Sequence, residues 1–231
     1  MGKAPGTNAL NRKAIGGLLN MMVCAALMVF LPAWTIRYWQ AWVFLAVFFI
    51  PSLLITFYLM KKDPKLLERR VHAGVIAEKE AFQKVVQGAA TLAFAALLVF
   101  PAIDHRVGWS RTPVWAVAAG DGLMVLGFVV VFFVFRENSF TSSIIEVSEE
   151  QEIISTGPYG VVRHPMYVGA LILLLGIPLA LGSVWGLLGF IPMVGAIVVR
   201  LLDEERFLGR SLEGYIEYRK IVRYRLVPFV W

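Results

Sequence analysis

Residues 114–135 read VWAVAAGDGLMVLGFVVVFFVF, and this stretch decides the class of fold. As one helix it is long enough to cross the apolar layer of a bilayer, which is roughly 30 Å thick. Five further apolar runs lie at Ile15–Ile36, Trp39–Met60, Val85–Ile103, Tyr167–Leu181 and Val184–Leu202. The last two are separated only by Gly182-Ser183, which indicates a tight helical hairpin. The sequence predicts an all-α, polytopic integral membrane protein with about six transmembrane helices.

The composition of the 231 residues supports this class of protein. Hydrophobic residues make up 58% and charged residues 16%, whereas soluble domains have about 45–50% and about 25%. Too few polar side chains are present to cover a water-exposed surface, so we expect the lipid bilayer to be a partner. This excludes a soluble enzyme and a nucleic-acid-binding module. The single cysteine, Cys24, excludes an internal disulfide and a cysteine-based zinc site, and we expect no metal.

The basic residues predict the orientation in the membrane. If the N-terminus is cytoplasmic, the cytoplasmic segments carry 19 Lys and Arg residues and the opposite side carries three, at Arg37, Arg106 and Arg111. Such an asymmetry follows the positive-inside rule. We expect both termini, the segment Arg136–Pro165 and the tail Asp203–Trp231 to be cytoplasmic.

The chain divides into two predicted parts. Residues 1–83 form an N-terminal region of two spans with an interfacial loop, and residues 84–231 form the core that carries the candidate chemistry. Within the core we expect a functional loop at 138–169 and an amphipathic C-terminal helix at 203–222. The apolar positions that recur at helical spacing in that helix are Phe207, Leu208, Leu212, Tyr215 and Ile216.

Two segments on the predicted cytoplasmic face concentrate polar side chains. Residues 155–169 read STGPYGVVRHPMYVG, in which Gly157-Pro158 predicts a turn and Pro165 a helix start. Residues 200–206 read RLLDEER, and Arg200 and Glu204 share one helix face because they are four residues apart. Each segment also has a purely structural interpretation. Residues 155–169 could be an interfacial loop with a snorkelling arginine, and residues 200–206 a salt-bridge cluster at a helix end. Ionisable residues next to a span are nevertheless candidates for function.

The combined pattern resembles the isoprenylcysteine carboxyl methyltransferase family and the wider group of phospholipid methyltransferases. It consists of Gly157-Pro-Tyr-x-x-x-Arg-His-Pro-x-Tyr-x-Gly169, Glu204-Glu205, Tyr215-x-x-Tyr218 and Arg225-x-x-Pro228. The resemblance implies a membrane enzyme that transfers methyl from S-adenosylmethionine without a Rossmann domain. No G-x-G-x-x-G motif follows a strand in this sequence, which agrees with that expectation. The N-terminal spans are similar to those of bacterial relatives, which implies a bacterial inner membrane.

The resemblance also implies roles for particular residues. The predicted cofactor-binding residues are Gln151, Glu152, Ile153, Ile154, Tyr159, Arg163, His164, Pro165, Met166, Tyr167, Glu204 and Glu205. Glu204, assisted by Glu205, would pair with the cofactor ammonium, and Arg163 or His164 with its carboxylate. Arg200 would be the catalytic and substrate-binding residue, because its guanidinium can hold a substrate carboxylate.

The expected substrate is a lipophilic or prenylated carboxylate. A carboxylate is already ionised at neutral pH, so its methylation needs alignment and no general base. Methylation of a phospholipid amine or of a small thiol on the same scaffold remains an alternative. A sterol-type reductase is a further alternative, because residues 215–228 are also similar to the C-terminus of that family. A transporter or channel would require polar residues at mid-membrane depth, and the spans contain hardly any.

Overall fold

The computed structural model describes residues 7–71, 80–141 and 151–231, and these residues are helical with no strand among them. The helices are α1 (Thr7–Ala33), α2 (Trp39–Lys62), α3 (Pro64–Val71), α4 (Ala81–Val107), α5 (Val114–Glu137), α6 (Pro165–Ala180), α7 (Phe190–Ser211) and α8 (Tyr215–Ile221). The predicted all-α membrane class is confirmed. Five helical segments are long and apolar enough to cross a membrane. The fifth predicted span, Tyr167–Leu181, corresponds to α6, which has only 16 residues, or about 24 Å of helix.

The turn between α6 and α7 lies where the sequence predicts the hairpin. Gly182 adopts a left-handed backbone conformation with φ of 72°, which glycine reaches without steric cost. A short 3-10 helix at Trp185–Gly189 then leads into α7. The predicted last span therefore consists of two elements rather than one regular helix.

The prediction of one continuous amphipathic helix at 203–222 is wrong. The last span does not end at Asp203, because α7 continues without interruption to Ser211. The break comes at Gly214, whose φ of 79° is incompatible with a right-handed helix. Only the seven residues of α8 follow it. Residues 203–211 contain no proline, and their charged side chains do not end α7.

Helices α5 and α6 pack closely because glycines face each other along their contact. A Cβ atom added to Gly127 would lie 2.7 Å from the carbonyl oxygen of Gly169, and one added to Gly176 would lie 2.5 Å from that of Gly120. Real Cβ atoms do not approach other atoms this closely. The glycines therefore allow backbone-to-backbone contact, as small residues do between membrane helices. This contact fixes α6 relative to α5.

The two ends of the bundle differ in their polar contacts. We call the end where α2, α5 and α7 finish the site end, and the other the far end. At the far end Asp104, 1% exposed, accepts hydrogen bonds from Ser183 and from the backbone and side chain of Ser110, the latter two at 2.7 and 2.6 Å. The Tyr38 hydroxyl donates to the carbonyl of Leu181. These bonds tie the start of α2, the end of α4 and the α4–α5 loop to the α6–α7 turn.

The spanning helices share one hydrophobic core. Buried residues from six helices form a continuous cluster that includes Val29, Phe44, Leu97, Met124, Ile177 and Met193. The predicted boundary between residues 83 and 84 falls inside α4, which begins at Ala81. The division into two parts remains a prediction, and the core joins helices from both.

Candidate functional site

A buried carboxylate, Glu205, organises the centre of the site end. Its side chain on α7 is 4% exposed. Arg163 Nε donates to Glu205 Oε1 at 2.7 Å, and Arg225 Nε donates to Oε2 at 2.9 Å. His164 Nε2 lies 3.3 Å from Oε1. We call Arg163, His164, Glu205 and Arg225 the Glu205 cluster; its two arginine contacts have the short distances of charge-assisted hydrogen bonds.

The Glu205 cluster also holds the C-terminal tail against the start of α6. One guanidinium nitrogen of Arg163 donates to the carbonyls of Val222 and Arg223 at 3.0 and 2.8 Å. The backbone N–H groups of Arg163 and His164 donate to the carbonyls of Tyr224 and Arg225 at 2.9 and 3.1 Å. Arg163 is only 6% exposed, so it is not the snorkelling side chain of the structural alternative. The tail is therefore an integral wall of the site end.

A second polar group, which we call the Tyr167 network, joins α4, α6 and α7. Tyr167 donates from its hydroxyl to Glu204 Oε2 at 2.5 Å and also interacts with Arg200. Arg200 donates to the amide oxygen of Gln83 at 3.2 Å, and the Gln83 amide nitrogen donates to Asp203. The network thus places an acid and a guanidinium, one helical turn apart on α7, on either side of a tyrosine hydroxyl.

Glu204 and Glu205 therefore have different surroundings although they are neighbours in sequence. Successive residues of a helix point about 100° apart. Glu205 faces the Glu205 cluster and is buried, whereas Glu204 faces Tyr167 and is partly exposed. Glu204 is therefore the more accessible carboxylate of the pair.

Tyr159 lies in the short 3-10 helix Gly157–Gly160. Its carbonyl accepts a hydrogen bond from the Tyr218 hydroxyl at 2.8 Å. Burial raises the pKa of the Tyr159 hydroxyl, which interacts with the side chains of Thr141 and Asn138 and lies in electrostatic range of Glu204. The hydroxyl remains protonated at neutral pH and can donate a hydrogen bond.

The other predicted cofactor residues lie around these groups. Ile153 packs against a small apolar cluster of Tyr215, Tyr218 and Val222. Ile154 and Gln151 are partly buried, Glu152 is exposed and Pro165 is buried at the first position of α6. Met166 packs against the apolar cluster that includes Leu66, Leu67 and Phe135. Residues 142–150 of the predicted loop 138–169 lie outside the described residues.

Three further side chains at the site end were not predicted. Gln83 is 2% exposed and contacts Arg200. Arg70 on α3 lies 5.1 Å over the Phe135 ring and in electrostatic range of Tyr167 and Arg200. Tyr215 begins α8 and is 3% exposed. The sequence signal for Gln83 was a lone amide side chain before the apolar run of α4. Arg70 had no such signal, because it is one of several basic residues in a charged loop.

Metal chemistry has no support in the described ranges 7–71, 80–141 and 151–231. Within them, no group of three or more His, Cys, Asp or Glu side chains could hold a metal ion. The Glu205 cluster joins one carboxylate to two guanidinium groups, which are not metal ligands. The expectation that the protein uses no metal remains a prediction.

Comparison with known proteins gives one match. Residues 115–213 match the family model of phospholipid methyltransferases. No curated protein matches the chain. The matched region extends from α5 to the end of α7 and includes Arg163, Tyr167, Arg200, Glu204 and Glu205. Over these residues the chain is similar to a family of enzymes that modify lipids.

Proposed function

We propose that this chain is an integral membrane methyltransferase that uses S-adenosylmethionine, an activity supported by its similarity to phospholipid methyltransferases. The methyl acceptor in this proposal is a carboxylate on a lipophilic substrate, such as a prenylated cysteine. The observation that carries the proposal is the Tyr167 network. In it Arg200 and Glu204 lie one helical turn apart, and both contact Tyr167 in the matched region.

The side chains present fit the chemistry of the cofactor. S-adenosylmethionine supplies an electrophilic methyl group on a sulfonium, next to an amino-acid moiety. Glu204 would pair with the ammonium of that moiety, because its carboxylate is partly exposed and held by the Tyr167 hydroxyl. The rings of Tyr159 and Tyr167 would face the sulfonium, since aromatic faces attract cations. Arg163 and Glu205 pair with each other, so we give them a positioning role.

The protein's part in the reaction is alignment. Arg200 would hold the substrate carboxylate, and its contact with Gln83 keeps the guanidinium in place. Tyr167 stands between Arg200 and Glu204 and donates to the acid. This arrangement keeps Glu204 available for the ammonium and Arg200 for the substrate anion. An ionised carboxylate is nucleophilic without deprotonation, so orientation in line with the methyl group is the main requirement.

The membrane location suits a lipophilic substrate. Its apolar chain would enter from the bilayer between helices, while the water-soluble cofactor would enter at the site end. Positive-inside counting supports a cytoplasmic site end and cytoplasmic termini, and the similarity of the first spans to bacterial sequences supports a bacterial inner membrane.

The test of the proposal is binding of S-adenosylhomocysteine to the detergent-purified protein, measured by isothermal titration calorimetry. The wild type should bind, Glu204→Ala should bind much more weakly, and Glu217→Ala should bind like the wild type because Glu217 is exposed on α8. No binding by the wild type would refute the proposal.

Arg200→Ala should keep cofactor binding but lose turnover. We expect the activation free energy to rise by about 2–4 kcal/mol, the usual scale for a group that positions charge.

A phospholipid amine is the second candidate acceptor, because the matching family model is that of phospholipid methyltransferases. The two products differ in chemical stability. Incubation of the protein with membrane lipids and methyl-labelled cofactor should give a labelled lipid. If the product is a methyl ester, mild alkali releases the label as methanol; a methylated amine retains it.

A further inference from the structure

Tyr215 has a buried hydroxyl without a hydrogen-bond partner in residues 7–71, 80–141 and 151–231. The side chain is 3% exposed, and among the described residues its hydroxyl has no hydrogen-bond partner. Tyr218, three residues later, is similarly buried, but its hydroxyl donates to the Tyr159 carbonyl at 2.8 Å. Buried hydroxyl groups are normally hydrogen-bonded, so an exception in a native fold indicates a partner of another kind.

The position of Tyr215 connects it to the proposed cofactor site. The left-handed Gly214 turns the chain back towards α7, and Tyr215 packs with Ile153, Leu208 and Leu212. Ile153 belongs to the stretch 151–154 that is predicted to contact the cofactor. Glu204 and Glu205 are both in electrostatic range of the Tyr215 hydroxyl. Tyr215 thus belongs to the same apolar cluster as a residue of the predicted cofactor stretch.

The Tyr215 hydroxyl is a donor at neutral pH. Burial raises the pKa of this hydroxyl, and the negative charges of Glu205 and Glu204 raise it further. The group therefore keeps its proton. An acceptor such as a carboxylate would satisfy it.

The proposed cofactor site needs a hydrogen-bond donor for the carboxylate of the cofactor. Arg163 and His164, the two predicted partners of the cofactor carboxylate, both contact Glu205, and Arg163 also donates to two tail carbonyls. In an α-amino acid the ammonium and the carboxylate are attached to the same carbon, so their partners must be close together. Leu208 packs against the apolar cluster that contains Tyr215. Glu204 precedes Leu208 by one helical turn, so Glu204 and Tyr215 lie on the same side of α7.

We infer that the Tyr215 hydroxyl donates a hydrogen bond to the carboxylate of the cofactor's amino-acid moiety, while Glu204 pairs with the ammonium. The inference rests on the proposed function, and it extends the site beyond the matched region, which ends at residue 213. Tyr215 is in this role a specificity residue that distinguishes ligands with the amino-acid moiety from those without it.

The test compares two ligands and three proteins by isothermal titration calorimetry. S-adenosylhomocysteine contains the amino-acid moiety, whereas 5′-methylthioadenosine lacks it. Tyr215→Phe should lower affinity for S-adenosylhomocysteine about 10- to 100-fold, the range for one hydrogen bond to a charged group. Its affinity for 5′-methylthioadenosine should equal that of the wild type. Tyr218→Phe, the matched control, should change both affinities by the same factor.

Thermal unfolding without ligand provides a second readout. Tyr215→Phe should unfold at or above the wild-type temperature, because the removed hydroxyl makes no hydrogen bond in the protein. Tyr218→Phe should unfold earlier, because it leaves the Tyr159 carbonyl without its donor. Unchanged S-adenosylhomocysteine affinity in Tyr215→Phe, an equal loss for both ligands, or a lowered unfolding temperature would overturn the inference. If the wild type binds neither ligand, the proposed function itself fails.

Discussion

At the scale of single residues, the site end contains a buried carboxylate paired within the protein next to one that is partly exposed. Glu205 has three basic partners from two distant parts of the chain, and all three interactions are internal. Glu204, the next residue, contacts a neutral tyrosine. Two adjacent glutamates thus differ in role because the helix turns them towards different neighbours.

Removal of the Glu205 charge should destabilise the fold. Glu205→Gln leaves Arg163 and Arg225 next to each other without the carboxylate between them, and an uncompensated buried charge costs about 3–5 kcal/mol. We expect a clear fall in the unfolding temperature in detergent. Glu217→Gln, an exposed acid on α8, should unfold like the wild type. A similar temperature for both variants would show that the cluster contributes little to stability.

Gln83 is a second residue whose role comes from its contacts. Gln83→Leu removes the acceptor of Arg200 and the donor to Asp203, so Arg200 should be less well oriented. We expect kcat to fall about tenfold or more while the affinity for S-adenosylhomocysteine changes little. Gln87→Leu, one turn further along α4, is the control and should retain activity. An equal loss in both variants would contradict the positioning role.

At the scale of elements, the α5–α6 contact positions the start of α6 and with it His164, Pro165 and Tyr167. The sequence predicts both helices from their apolar composition, but not which faces meet. Gly120 and Gly127 are seven residues apart, as are Gly169 and Gly176, so each pair lies on one helix face. That spacing is a signal for close packing, yet the partner helix becomes evident only from the structure.

A methyl group in this contact should force the helices apart. Gly127→Ala places a Cβ 2.7 Å from the Gly169 carbonyl oxygen, and such overpacking costs about 1–3 kcal/mol. Gly122→Ala, in the same helix, meets nothing within 4 Å and is the matched control. Thermal unfolding of both variants measures the difference. Equal stability would mean that α5 and α6 separate without cost.

The C-terminal region shows where sequence reasoning stops at this scale. The charged and apolar residues of 203–222 predict helix, and most of them are helical. The helical spacing of the apolar residues does not indicate that Gly214 interrupts the helix, since glycine occurs both within helices and at their ends. The interruption matters, because it turns Tyr215 and Tyr218 back towards Ile153.

At the scale of the whole molecule, apolar composition was sufficient for the class of fold and the approximate positions of the spans. The contacts within the site were harder to predict from the sequence. Gln83 and Arg200 are separated by 117 residues, and Arg163 and Glu205 by 42. Their types and helix positions were visible in the sequence, but the choice between Glu204 and Glu205 required the direction in which each side chain points.

The orientation of the whole bundle can be tested by cysteine labelling. In a Cys24→Ser background, Arg111→Cys places a thiol at the far end and Lys220→Cys places one at the site end, both at exposed positions. A membrane-impermeant maleimide added to intact cells should label the first variant only, because the positive-inside rule predicts a cytoplasmic site end. Labelling of Lys220→Cys should appear after permeabilisation. The reverse pattern would contradict the predicted topology.

The internal pairing of Glu205 has a consequence for the order in which the protein is made. Arg163 and His164 leave the ribosome before Glu205, whereas Arg225 follows it by twenty residues. When α7 is synthesised, the acid has its first basic partners but not its last. The wall formed by residues 222–225 can close only after α7 is already made. The contact with Arg225 is therefore the last of the Glu205 contacts that synthesis makes possible.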